Sequence, residues 1–428
     1  MSKFQIVLLG VFGVFILTAV LVFALYRGGA NSSQQTVEVW GDIPAAYIES
    51  FIYSTSLSQN KTISIKYFAK PSDELEAAFT EALAQGGGPD LIILSHDQYW
   101  KNRNKLIPIP YKSISERDFK NTFVEGGEVF LTTDGIYALP FSIDPMVLYY
   151  NRDLLSSAGI SKPLTYWDEI YNQTLTLSKR DAAGNLTRSA ISLGETKNIS
   201  NYKDILSLLF LQAGTTITGS TGSGLRSLLL ENFNLPTRPA DSALDFYTQF
   251  SNPTKPYYSW NRTLSEAQTR FTSGDLAYYL GFASELPVIR SKSPTLNFSI
   301  SPVPQSRVSG RITTFARVKG IAISRGSRNP AVAYEAALNL VSPESSQALS
   351  QIMGLSPTRR DLLAGTPTDS IFPVLYAGSL QSKVWLDPDP LETEKIFRDM
   401  VDTVTSGRAR TSETVNKASG ALDSLISK

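Results

Sequence analysis

From Thr36 onward the chain alternates short apolar runs with amphipathic stretches, and that alternation restricts it to α/β architectures. "TVEVW" reads as a strand, "AAYIESFIYST" as a helix and "TISIKYF" as a strand with apolar residues at every second position. "SDELEAAFTEALAQ" reads as a helix with acids in its first turn, where they suit the helix dipole, and it stops at Gly86-Gly87-Gly88-Pro89. "DLIIL" then predicts a buried parallel strand. Ligands gather at the carboxyl ends of such strands, here occupied by Trp40-Gly41-Asp42 and Ser95-His96-Asp97. Further along, "PLTYWDEIYNQTLTLSK" predicts a helix capped by Thr165. Residues 203–213, 240–250 and 263–273 predict more helices, and "DLAYYLG" a strand. A second series begins near Leu296 with "NFSISPVP", "VKGIAIS" and a helix from Ala331.

The stretch "YALPFSIDPMVLYYNRDLL", residues 137 to 155, interrupts an apolar run with Asp144 and Pro145. A buried, unpaired carboxylate is costly, so Asp144 needs solvent, a hydrogen-bond donor or a bound partner. Aromatic residues fall near other element ends: Trp40, Tyr99, Trp100, Trp260, Phe282 and Trp385. Any one such ring is ordinary core material. Together with Asp42, Asp97 and Asp144, however, they suggest rings that stack on sugar faces and carboxylates that accept sugar hydroxyls.

Composition excludes much else. At 428 residues the chain exceeds the size of a single core, so two lobes are expected. A formal charge of +1 offers no basic excess for nucleic acid. Cys is absent, which removes disulfides, thiolate metal sites, a Cys nucleophile and a lipidated cysteine. The single His, His96, cannot build a His-rich metal site, and it has no nucleophile-elbow motif to serve as a catalytic base. Neither a P-loop nor a GxGxxG follows a strand. No cofactor or metal is expected. Paired carboxylates such as Asp97 and Asp144 leave glycoside hydrolysis open as an enzymatic alternative.

At the N-terminus, "FQIVLLGVFGVFILTAVLVFALY", residues 4 to 26, would span roughly 34 Å as a helix, enough for a hydrocarbon core of about 30 Å. Residues 1–27 therefore predict an uncleaved transmembrane helix in preference to a cleaved signal, and "GGANSSQQ", residues 28–35, a flexible linker.

Four segments occur in one order: "GGGPDLIILSHDQYW", "GIYALPFSIDPMVLYYNRDLLSSAGISKPLTYWDEI", "FTSGDLAYYLGFASELP" and "GIAISRGSRNPAVAYEAALNLVSPESSQAL". From about residue 36 to the end, the chain resembles the extracellular solute-binding proteins of ABC importers, the group that includes maltose-binding protein. The resemblance implies a two-lobed, periplasmic-binding-protein-like fold with crossing hinge strands. Lobe one would hold 36–143 and 296–343, lobe two 144–295 and 344–428. It implies a monomer at the extracytoplasmic face that captures a carbohydrate and passes it to permease subunits. Asp97 matches the family's acidic residue in the loop after a lobe-one strand, and Asp144 the acidic residue at the lobe crossing. Trp40 and Asp42 match the first-strand loop. Phe282 stands about where the family often has a stacking Trp; the family's late Trp aligns near Glu394, which is not aromatic, and Trp385 is a candidate in its place. A sensor without a permease, or a non-sugar solute, are the other readings.

Overall fold

The computed structural model describes residues 34–221, 224–307, 310–365 and 369–427, together with residues 15, 16 and 18. The expected membrane span, residues 1–27, otherwise lies outside the described residues. Among those described, no helix is long and apolar enough to cross a membrane.

The first lobe is built as the alternation requires: β1 (Gln35–Gly41), α1 (Ala45–Ser54), β2 (Ile63–Ala69), α2 (Ser72–Ala84) and β3 (Leu91–Ser95). β1 lies parallel to both β2 and β3, with Val39 opposite Leu91. All three strands therefore end at one edge, where the loops bearing Asp42 and Asp97 meet. β3 is buried at its first four positions, as its continuous apolar run predicts for a central strand.

The 13-residue strand β4 (Leu139–Asn151) joins the lobes. After it come β5 (Leu186–Ile191), α3 (Tyr202–Ala213), α4 (Pro239–Thr248), β6 (Leu276–Phe282), β7 (Phe298–Ser301) and β8 (Thr314–Ser324). The first half of β4 pairs antiparallel with β8, from Leu139–Ile321 to Pro145–Ala316. Its second half pairs with β6, from Met146–Phe282 to Tyr150–Tyr278, and with β7. Partners change between Pro145 and Met146. One strand thus links both lobes within a continuous sheet, in the order β2-β1-β3-β8-β4-β6-β5 and ending at the short strand Lys179–Arg180. Asn151 closes it by capping the next helix, its Oδ1 accepting from Asp153 and Leu154 N–H at 3.0 Å each.

Beyond β8 the longer helices are α5 (Pro330–Leu340), α6 (Pro343–Met353), α7 (Phe372–Leu380), α8 (Pro390–Thr405) and α9 (Thr411–Ile426). Two lobe changes fall later than the expected 296 and 344. β7 hydrogen-bonds the second-lobe half of β4, so the chain leaves that lobe only after Ser301. α5 and α6 carry Ala333, Leu340 and Leu349 into the core shared by Val37, Phe51 and Leu91, and Leu363 still packs with first-lobe residues. Leu355 is the first residue after α6 in the second-lobe core, and Leu375 follows it there. Lobe membership follows from which strand edge is free, and that is a non-local property. The helix expected from Thr165 begins instead at Glu169, whose carboxylate accepts the Thr165 N–H at 2.9 Å.

Candidate functional site: the seam between the lobes

β8 carries the charged side chains at the centre of the seam. Arg317 and Lys319, two residues apart, project from the same face of an otherwise buried strand. Opposite them on β4 stand Asp144 and Ser142, and opposite Lys319 on β3 stands Ser95. A β-bulge follows between Lys319 and Gly320. A side chain at Gly320 would approach Ala138 and Phe130 within 2.8 Å, so only glycine permits this packing beside the site.

From the first lobe, Asp42 accepts from Lys319 Nζ at 2.6 Å through both oxygens. His96 accepts the Val318 N–H at Nδ1 (3.3 Å) and donates its own backbone N–H to Val318 O (2.7 Å), with its ring edge-on to Phe315. Burial pushes the imidazole pKa down, and with Nδ1 taken up by the Val318 N–H, His96 serves as a structural residue that ties the loop after β3 to β8. Asp97 is the contrast. Burial acts to raise its pKa, but His96, Lys203, Ser95 and Arg317 act the other way and hold it below the usual carboxylate range. One Asp97 oxygen, Oδ1, is buried with no hydrogen-bond partner among the described residues.

From the second lobe, the first turn of α3 and the loop after β6 close on the same place. Lys203 donates to Asp387 (2.6 Å) and Thr393 (2.8 Å). Asp204 pairs with Arg317. Glu285 gathers four donors: Asn201 Nδ2 (2.9 Å), Gln268 Nε2 (2.8 Å), the Tyr279 hydroxyl (2.5 Å) and the Phe282 N–H (2.9 Å). It thereby fixes the turn that presents the Ser284 N–H to Asp144 Oδ1 at 3.0 Å. Burial pushes the Asp144 carboxyl up to about 6, against the opposing pull of Ser284 and Arg317. Lys101 sits 3.2 Å from Glu76 on its own lobe and 3.2 Å from Asp389, the N-cap of α8.

Asp42, Asp97 and Asp144 therefore converge on one seam, while most of the expected aromatic platform does not. Trp260 is fully buried in the second-lobe core, its indole N–H donating to Asn198 Oδ1 at 3.0 Å. Trp385 is buried too, stacked on Phe397 and bonded to Ser207 Oγ at 3.0 Å. The Phe282 ring is buried, packed edge-on against Phe315 and covered by the Arg317 guanidinium, 3.9 Å from the ring centre. Tyr99 is buried and Trp100 is capped by Arg103. These rings turn inward because a large apolar side chain gains more from core burial than from solvent. Trp40 is only half-buried, with Lys70 Nζ 4.5 Å from its ring centre. The sequence reading missed Arg317 and Lys319. Their signal was two cations at strand spacing inside "FARVKGIAIS". Among the described residues no group of carboxylates and imidazole is arranged to hold a metal ion.

Residues 53–371 match the profile of a family described as bacterial extracellular solute-binding protein. Among solved structures, a cyclic alpha-maltosyl-1,6-maltose binding protein from Arthrobacter globiformis superposes with a TM-score of 0.75 at 14% identity, over 92% of this chain and 99% of that one. A cyclo/maltodextrin-binding protein complexed with maltotetraose gives 0.73 at 17% identity, covering 93% and 99%. The sugar-binding protein of Xanthomonas citri gives 0.72 at 20%, covering 92% and 98%. Binding proteins of Brucella abortus (strain 2308) and Brucella suis biovar 1 (strain 1330) are 29% identical over 114 residues. That match spans 26% of this chain and only 28% of the length of those relatives.

Proposed function

We propose, from the premise that this chain belongs to the bacterial extracellular solute-binding protein family, that it captures a carbohydrate between its lobes and delivers it to the permease of an ABC transporter. One observation carries the choice of ligand. Two carboxylates short of donors, Asp97 with a buried oxygen that has no partner among the described residues and Asp144 with hydrogen bonds from Ser284 alone, face the seam from the first lobe and from the crossing strand. A polyol supplies many neutral O–H donors at close spacing, which is what such a pair lacks. Solved proteins of the same fold are bound to alpha-D-tagatose, maltotetraose and mannotriose, which supports the reading. In this reading the protein is a binder without turnover. The apolar residues 4–26 tether it to the outer face of the membrane, and fractionation of the full-length chain tests that tether.

A thermal-shift panel tests the function. Maltotriose, mannotriose, tagatose and cellobiose are set against a tripeptide, spermidine and phosphate, each recovered afterwards for product analysis. At least one sugar should raise the melting temperature and be returned unhydrolysed. Stabilisation by the peptide, polyamine or anion alone would show that the substrate class is wrong, and a cleaved sugar that the protein is an enzyme.

A further inference from the structure

Arg317 has more hydrogen-bonding capacity than its neighbours use. Its Nη2 bonds Asp204 and, at 3.3 Å, Asn201 Oδ1, while Nε and Nη1 carry no hydrogen-bond partner among the described residues. One face of the guanidinium lies on Phe282, 3.9 Å from the ring centre, yet 46% of the side chain is open to solvent. Asp204 fixes one edge and Phe282 fixes the plane, so the group is a pre-oriented flat plate rather than a mobile side chain. Directly opposite on the neighbouring strand stands Asp144.

We infer that Arg317 is a specificity-determining residue of the cleft, a cationic plate in place of a stacking aromatic that reads two adjacent hydroxyls of a neutral sugar together with Asp144. This rests on the carbohydrate reading above. The guanidinium donates to one hydroxyl oxygen, and the carboxylate accepts from the next. An aromatic ring would distinguish sugars by the apolar face alone. A fixed donor beside a fixed acceptor distinguishes them by hydroxyl orientation, because a mismatch leaves part-buried polar groups unpaired. The surrounding charge also selects. Asp97, Asp144 and Asp204 lie close to Arg317, so a carboxylated sugar meets like charge there.

Titration calorimetry with maltotriose, mannotriose and trigalacturonate, on the wild type and on Arg317→Met and Arg317→Lys, tests the inference. Loss of a charge-assisted bond should weaken the better-bound neutral trisaccharide about ten- to a hundredfold in Arg317→Met. The ratio between the two neutral sugars should also fall toward one. Arg317→Lys should restore only part of the affinity, because an ammonium neither lies flat on Phe282 nor holds its donor in one fixed direction. Wild type should not bind trigalacturonate. If Arg317→Met only lowers the melting temperature and keeps both the affinity and the ratio, Arg317 is a structural strut and sugar capture still stands. Tight trigalacturonate binding would overturn the neutral-sugar assignment. Failure of the wild type to bind any of the three, with stabilisation by the tripeptide of the thermal-shift panel instead, would end the carbohydrate reading itself.

Discussion

Trp260→Ala should lower the stability of the fold by about 3–5 kcal/mol and leave sugar affinity unchanged at temperatures where the variant is folded. The indole is fully buried among second-lobe residues, so truncation loses its transfer free energy and leaves a cavity. The indole N–H is the donor to Asn198 Oδ1, and the same Asn uses its Nδ2 to hold Asn261 O and Leu264 O at 2.9 Å each. Removing the donor leaves that oxygen short of its partner, so the loop 261–264 should loosen as well. Urea unfolding monitored by circular dichroism measures the first effect, and calorimetry with a bound sugar the second. A Trp260 ring that faced the cleft would give the reverse pattern, with affinity lost and stability nearly intact.

Asp144→Asn should weaken sugar binding by about 1.5–3 kcal/mol, roughly ten- to a hundredfold, if one charge-assisted bond is lost. The amide oxygen can still accept the Ser284 N–H, so the turn after β6 keeps its anchor. The effect of pH follows from the same carboxyl. Its folded-state pKa of about 6 lies above the ordinary 3.8, so the folded protein holds this proton over a range where the unfolded chain has released it. The contribution of this group to stability is complete below about 4 and is lost as pH rises to about 6. Asp387, also pushed up to about 6 by burial, acts in the same direction. Binding through the ionised carboxylate runs the other way: affinity should fall as pH drops through about 6. In Asp144→Asn that pH dependence should flatten, and stability near pH 7 should hold or rise. Unaltered affinity across pH 5–8 would remove Asp144 from the site.

The elements were legible because their signals are local. The period-two runs in β1 and β2 and the continuous apolar run of β3 each give a strand whatever surrounds them. Asp144 was legible as an anomaly, one carboxylate inside a strand otherwise buried almost end to end. Which strands each half would pair with was not legible in the local pattern, because the partners lie more than a hundred residues away. The aromatic residues misled for a related reason. A Trp at the end of an element looks the same in sequence whether its ring turns outward or, like Trp260, is drawn inward as its backbone N–H bonds Phe250 O. Arg317 and Lys319 were visible as cations within a strand, but their role depends on Asp204 and Asp42 reaching them from the two lobes.

The central claim is that a sugar is held at the seam between the lobes, and a crystal structure of residues 34–427 with the tightest sugar from the panel tests it most directly. The account predicts density between the lobes, with hydroxyls within hydrogen-bond distance of Asp97, Asp144 and Arg317. The second lobe also carries an open apolar pocket of about 390 Å³, lined by Trp167, Tyr171 and Phe246. A sugar bound only there, with the seam holding water, would contradict the account.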